Sequence, residues 1–144
     1  MKGIATISFF YPSEGDYQIS ENFKVKEFKS RQNSTIVLST ELVKTLQTLR
    51  SRLGAPININ SGYRTQAHNT QVGGSKNSAH LLGAAADIWT PKMSVMNFAE
   101  FIRMNYYKQV AIGAHPEDGY VHIDVVYRGN FYVTDLDNKV EKFI

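Results

Sequence analysis

Apolar residues recur along this chain with two periods. Leu42, Leu46, Leu49 and Leu53 are spaced three and four apart, the stripe of one helix face. Ser39-Thr40-Glu41 supplies an N-cap before that stripe, Gly54 ends it, and Pro56 prevents its continuation. A second stripe, Val95, Phe98, Ile102 and Tyr106, follows Ser94 as its cap, and Thr65 can cap a shorter helix through Val72 that Gly73-Gly74 breaks. Elsewhere the period is two. Ile57-Asn58-Ile59-Asn60 alternates as a short strand that delivers Ser61-Gly62-Tyr63-Arg64 into a loop. Residues 109–115 and 120–127 read as paired strands around the turn Pro116-Glu117-Asp118-Gly119. Residues 131–134 and 140–143 form a last pair flanking a small hairpin turn at 135–139. The first ten residues lack a small-x-small cleavage site and read as a strand or packing arm rather than a signal peptide. Helices and antiparallel strands mix without regular alternation. The prediction is an α+β fold, a central antiparallel sheet with flanking helices.

Composition narrows the chemistry. A chain of 144 residues suits one domain, 1–144, with a core large enough to need no staples. Cysteine is absent, so disulfides and thiolate metal sites are excluded. Any metal must be held by nitrogen and oxygen, from four histidines: His68, His80, His115 and His122. The excess of 16 Lys+Arg over 13 Asp+Glu gives +3, enough to favour an anionic polymer. The basic residues are scattered without a stripe, and no glycine loop with a lysine cradles phosphate, so nucleic acid and nucleotides are not expected partners. No apolar run approaches the length of a membrane span.

The densest chemistry lies in Ser78-Ala79-His80-Leu81-Leu82-Gly83-Ala84-Ala85-Ala86-Asp87, answered downstream by His122-Ile123-Asp124. Strand alternation puts His122 and Asp124 on one face and Val121, Ile123 and Val125 on the other, toward the core. Gly83 and the three alanines keep the chain slim, so backbone or substrate can approach closely. Two imidazoles and a carboxylate suit one zinc ion with a fourth position left for water. On spacing alone, each of the three reads equally well as a surface residue or a satisfied core hydrogen-bonder. His68, in Gln66-Ala67-His68-Asn69, reads as a helix-surface residue near the cleft.

The flanking residues carry the argument further. Ser78-x-His80-x-x-Gly83-x-Ala85-x-Asp87, followed by Val121-His122-x-Asp124, resembles the zinc D-alanyl-D-alanine peptidases of the M15 type, which share their fold with the Hedgehog signalling domain. The likeness extends to Phe23-Lys24-Val25-Lys26-Glu27-Phe28, to Pro56 through Arg64, to Asn69 and to Val72-Gly73-Gly74. It covers roughly residues 20–127 and leaves 128–144 as a C-terminal hairpin extension. The resemblance implies His80, Asp87 and His122 as ligands of one zinc ion per chain. It implies that Arg64 holds substrate or steadies the polarised carbonyl, by the bidentate grip a guanidinium has on oxygen. Ser78 falls on a family position and either contacts substrate or caps a turn. Asp124 is implied to stand behind a ligand imidazole, fixing its tautomer.

The activity so implied is hydrolysis of amide bonds in bacterial peptidoglycan stem peptides. The enzyme would be a D-Ala-D-Ala carboxypeptidase or an endopeptidase of the stem or cross-link. Some relatives carry a glutamate three residues before the last zinc histidine, a position held here by Gly119. The candidates for general base are therefore Glu117, His115 and Asp118 in the same hairpin. Glu117 ranks first, being anionic without tuning, and His115 second. Size, charge and the lack of a signal peptide lean toward a monomeric phage-type endolysin, made in the cytoplasm and acting on the wall after release. The alternative is a non-catalytic, zinc-containing binding module of the Hedgehog kind.

Overall fold

A computed structural model describes residues 4–30, 34–134 and 140–142, the last three by backbone alone. In chain order the elements are β1 (Thr6–Phe10), β2 (Gln18–Ser20), β3 (Phe23–Lys24), β4 (Thr35–Ser39), α1 (Thr40–Leu53), β5 (Asn58–Ser61), α2 (Gln66–Gln71), β6 (Ala85–Trp89), α3 (Val95–Asn105), β7 (Ala111–His115), β8 (Tyr120–Asp124), β9 (Phe131–Thr134) and β10 (Val140–Lys142). The arrangement is a single α+β domain. The hairpin turn expected at 135–139, like the first three residues, lies outside the described residues.

Local chemistry explains the helices. Ser39 Oγ accepts from the N–H of Leu42, Thr65 Oγ1 from that of His68, and Ser94 Oγ from that of Asn97. Each hydroxyl satisfies one of the N–H groups a helix start leaves unpaired, a cap worth about 1 kcal/mol. Gly54 closes α1 in the left-handed region, with φ 66°, which a residue without Cβ adopts at no steric cost. Leu42, Leu46 and Leu49 are fully buried along one face of that helix. No helix of the described residues is long and apolar enough to cross a membrane.

Among the described residues six strands form one sheet in the order β10-β9-β7-β8-β6-β5. Every neighbouring pair is antiparallel except β7 with β9, which run parallel. Strand β6 is absent from the hydrophobic pattern because Ala84-Ala85-Ala86-Asp87 has no alternation and no β-branched residue. Tertiary pairing makes it a strand: β8 and β5 hydrogen-bond it on both edges. The N-terminal run becomes β1, paired with β4 as a separate two-stranded ribbon. Its partner hydrogen-bonds onward, Ser39 N–H donating to the carbonyl of Gly83 at 2.8 Å. A Cβ on Gly83 would collide with the carbonyl of Val37, and its φ is 67°. The slimness of that segment thus serves the approach of β4.

The inner face of the sheet is apolar. Ala86, Ile88, Ile112, Ala114, Val121 and Ile123 join the buried cluster with Leu46, Phe98 and Ile102 from the helices. One expectation is corrected here. His68 is buried rather than on the helix surface, with Nδ1 2.8 Å from Oγ of the fully buried Ser30. The same Ser30 hydroxyl accepts the N–H of Thr65, so the imidazole helps pin the start of α2.

Candidate metal centre

The outer face of the sheet assembles the site by register. Ser61 on β5, Asp87 on β6, His122 on β8, Gly113 on β7 and Tyr132 on β9 stand opposite one another in one cross-strand row. The next row pairs Ala85, Asp124 and Ala111. Ala85 and Ala111 keep the floor of that row low, while Gly113 leaves room for the ring of Tyr132. His80 comes from outside the sheet, on a 3₁₀ turn spanning Ala79–Leu82, whose first N–H groups Ser78 Oγ caps by accepting from His80 at 3.2 Å. Gly83 closes that turn.

His80, Asp87 and His122 are thereby brought together, with one ligand atom from each lying within 4.8 Å of the others. Each imidazole has its outer nitrogen tied to an acceptor. His80 Nδ1–H donates to the carbonyl of Gly62 at 2.7 Å, and His122 Nε2–H to Asp124 Oδ2 at 2.8 Å. The inner nitrogens, which carry the lone pairs when the rings are neutral, both lie against Asp87 Oδ1, at 3.2 and 3.1 Å. With neutral rings, three acceptors facing one point repel one another unless a cation or a proton lies among them. Tetrahedral bonds near 2.0–2.1 Å set neighbouring donors about 3.3 Å apart, close to these separations. The residues fit a small divalent ion.

In the metal-free protein a proton on His122 takes the cation's place. Burial would raise the Asp87 carboxyl, but hydrogen bonds from His122 and His80 overcome it and hold the group well below the ordinary carboxylate range. Burial opposes charge on His122, yet Asp124 and Asp87 outweigh it and push that imidazole up to about 9. Asp124 Oδ1 also accepts the N–H groups of Val126 and Tyr127, at 2.9 and 2.7 Å. Against the cost of burial, His122 and these backbone donors lower the Asp124 pKa. The carboxylate stays ionised behind the imidazole it orients.

Arg64 is more committed than its motif suggests. Its Nη2 donates to Asp87 Oδ2 at 3.2 Å, Nη1 to Asn69 Oδ1 at 3.3 Å, and Nε to Ser61 Oγ at 3.1 Å. The guanidinium therefore grips the second oxygen of Asp87 while it lines the cleft. Among the described residues these contacts use three of its five N–H groups. A cleft of about 410 Å³ opens over the cluster, and Arg64, Ser78, His115, Tyr120, Tyr127 and Tyr132 share its lining.

Comparison with known families adds an independent observation. The profile of the family described as Peptidase M15 matches residues 21–124. The chain belongs to the peptidase M15 family. A zinc D-Ala-D-Ala carboxypeptidase from Streptomyces albus G is 32% identical over 72 residues, 49% of this chain and 28% of that protein. This M15 chain thus spans well under two thirds of the length of that relative.

The turn between β7 and β8 separates the candidate bases. Glu117 and Asp118 are exposed in it and do not line the cleft, whereas His115 does. Its imidazole stacks on Tyr120 at 4.4 Å and 18°. Burial pushes its pKa down, with Asp87 and Asp118 opposing and His122 assisting, so the ring is neutral at pH 7. Tyr120 and Tyr132 are pocket residues that the sequence does not single out. Tyr120 could have been found from its place opposite His115 in the hairpin, but Tyr132 carries no local signal.

Proposed function

We propose that this M15 chain is a zinc metallopeptidase that hydrolyses amide bonds in the peptide part of bacterial peptidoglycan. The observation that carries the reading is the convergence of two oriented imidazoles and an ionised carboxylate in an open cleft. His80 Nε2, Asp87 Oδ1 and His122 Nδ1 would hold the ion. When bound, zinc supplies Lewis-acid polarisation of a carbonyl and acidifies a coordinated water.

The chain's own residues supply the rest. Asp124 keeps His122 in the tautomer that binds metal, and the Gly62 carbonyl does the same for His80. Arg64 holds Asp87 by Oδ2, leaving Oδ1 toward the two imidazoles, and its remaining N–H groups favour negative charge developing on a peptide oxygen. Ser78 caps the turn that presents His80. His115 is the group best placed for proton transfer, because it is neutral and shares the cleft, while Glu117 sits in the solvent-facing turn. It takes a proton from the attacking water as the new C–O bond forms. It returns a proton to the leaving amine nitrogen as the C–N bond breaks.

The zinc-carboxypeptidase relative favours a D-Ala-D-Ala carboxypeptidase, and an endopeptidase cutting the stem or cross-link uses the same chemistry. The small basic domain suits a monomeric lytic enzyme that meets the wall after release from the cell. The competing reading, a non-catalytic Hedgehog-like module, draws on the absence of a glutamate from the cleft lining among the described residues. Digestion of purified peptidoglycan with the zinc-loaded protein, followed by mass analysis of the fragments, separates them. Released D-alanine or cleaved stems support the peptidase and name the bond. No products with any wall type, from protein holding about one zinc per chain, would sink it.

A further inference from the structure

The family match ends at Asp124, yet β9, beyond it, sends two side chains onto His115. Because β9 runs parallel to β7 with Gly113 opposite Tyr132 and Ala114 opposite Val133, Tyr132 and Thr134 rise on the cleft side while Val133 enters the core. A Cβ on Gly113 would collide with the phenol ring and hydroxyl of Tyr132, so the hydroxyl end of the ring fills the space a side chain at 113 would take. Thr134 Oγ1 is 3.2 Å from His115 Nδ1 and 3.5 Å from the carbonyl oxygen of Ala114. A hydroxyl that donates to that carbonyl has lone pairs left to accept Nδ1–H. The imidazole's own lone pair then sits on Nε2, beside Tyr132 Oη at 3.4 Å, and Tyr132 meets the ring edge-on at 5.6 Å and 90°.

We propose that Thr134 and Tyr132 are positioning residues for His115, with Thr134 selecting the Nδ1–H tautomer and Tyr132 steering the Nε2 lone pair. This rests on the reading of His115 as the proton-transfer group. The Tyr132 contact is at the long limit of a hydrogen bond, so a proton from a group entering the cleft can displace it. Burial pushes the Tyr132 hydroxyl well above its ordinary pKa, which keeps it a donor. The proton carrier would thus be set up by chain that lies outside the family-defining region.

Long-range nitrogen–proton NMR of the imidazoles in the zinc-loaded protein reads the tautomer directly. The expected result is Nδ1–H at His115, a mixture of tautomers in Thr134→Val, and recovery in Thr134→Ser. Turnover of peptidoglycan peptides should fall about tenfold in kcat for Thr134→Val and a few-fold for Tyr132→Phe. Both losses are a fraction of the roughly 10²–10⁴-fold a positioned base contributes, and KM and zinc content should be unchanged. An Nε2–H tautomer in the unmodified protein would overturn the inference whatever the variants do. So would a Thr134→Val protein with unaltered tautomer and kcat while His115→Gln is inactive. Full turnover in His115→Gln would instead remove the underlying role of His115, and the positioning role with it.

Discussion

The two faces of strand β8 obey different rules. Val121 and Ile123 point into a core shared with α1 and α3, where they are fully buried. That face asks for volume and apolarity, and exchanges of similar size are tolerated there. His122 and Asp124, each one residue away, point into the cleft, where hydrogen bonds to named atoms hold them. That face asks for particular atoms at particular separations. Apolar burial is concentrated on one side of the sheet and the candidate site on the other, so substitutions should separate core packing from zinc binding.

The largest effect should come from the cleft face. His122→Ala or His80→Ala is expected to reduce bound zinc from about one per chain to nearly none. Turnover should fall more than about 10³-fold, since the ion supplies several kcal/mol, with the circular dichroism of the fold retained. Loss of the fold in both variants would break the division. On the core face, Ile123→Ala should lower unfolding free energy by about 2–5 kcal/mol in urea titrations while zinc still binds. Asp124→Asn should be intermediate. Removing the charged acceptor behind His122 is expected to weaken zinc about 10–100-fold in chelator competition, at a stability cost of about 1 kcal/mol.

The metal-free protein offers a pH test of the same contrast. His122 is raised to about 9, so its contribution is complete below the ordinary value of 6.5 and lost as pH rises through about 9. His115 is lowered, so its neutral form stabilises the fold above 6.5, and that contribution fades as pH falls below it. Together they give highest stability near pH 6.5, with the alkaline limb absent in His122→Ala and the acid limb absent in His115→Ala. Urea midpoints across pH 5 to 10 check both limbs. The smallest effect belongs to Glu117→Gln, expected to keep turnover within about twofold because exposed turn substitutions shift energies by about 0.5 kcal/mol. A larger loss would return the base to Glu117.

Much of this was legible without coordinates. The leucine stripe and its serine cap specify α1, and the alternation through 120–126 assigns the faces of β8 correctly. Ser78 through Asp87 with His122-Ile123-Asp124 marks the cluster that the structure brings together. The turn at 116–119 was legible as a turn, but its exposure was not: charge ranks Glu117 ahead of His115, and burial places only His115 in the cleft lining. His68 misled for a related reason. Periodicity places a side chain on a helix face, but whether that face is covered depends on the segment around Ser30.

The sequence by itself determined which residues gather into the candidate metal site and which periodic segments build helices and outer strands, because those signals are local. Tertiary structure decided the rest. It made a strand of Ala85–Trp89 by pairing both its edges, turned Arg64 onto Asp87, and laid Tyr132 over Gly113 beside His115. Each of these depends on register between strands distant in sequence, and register is set by the packing of the whole sheet.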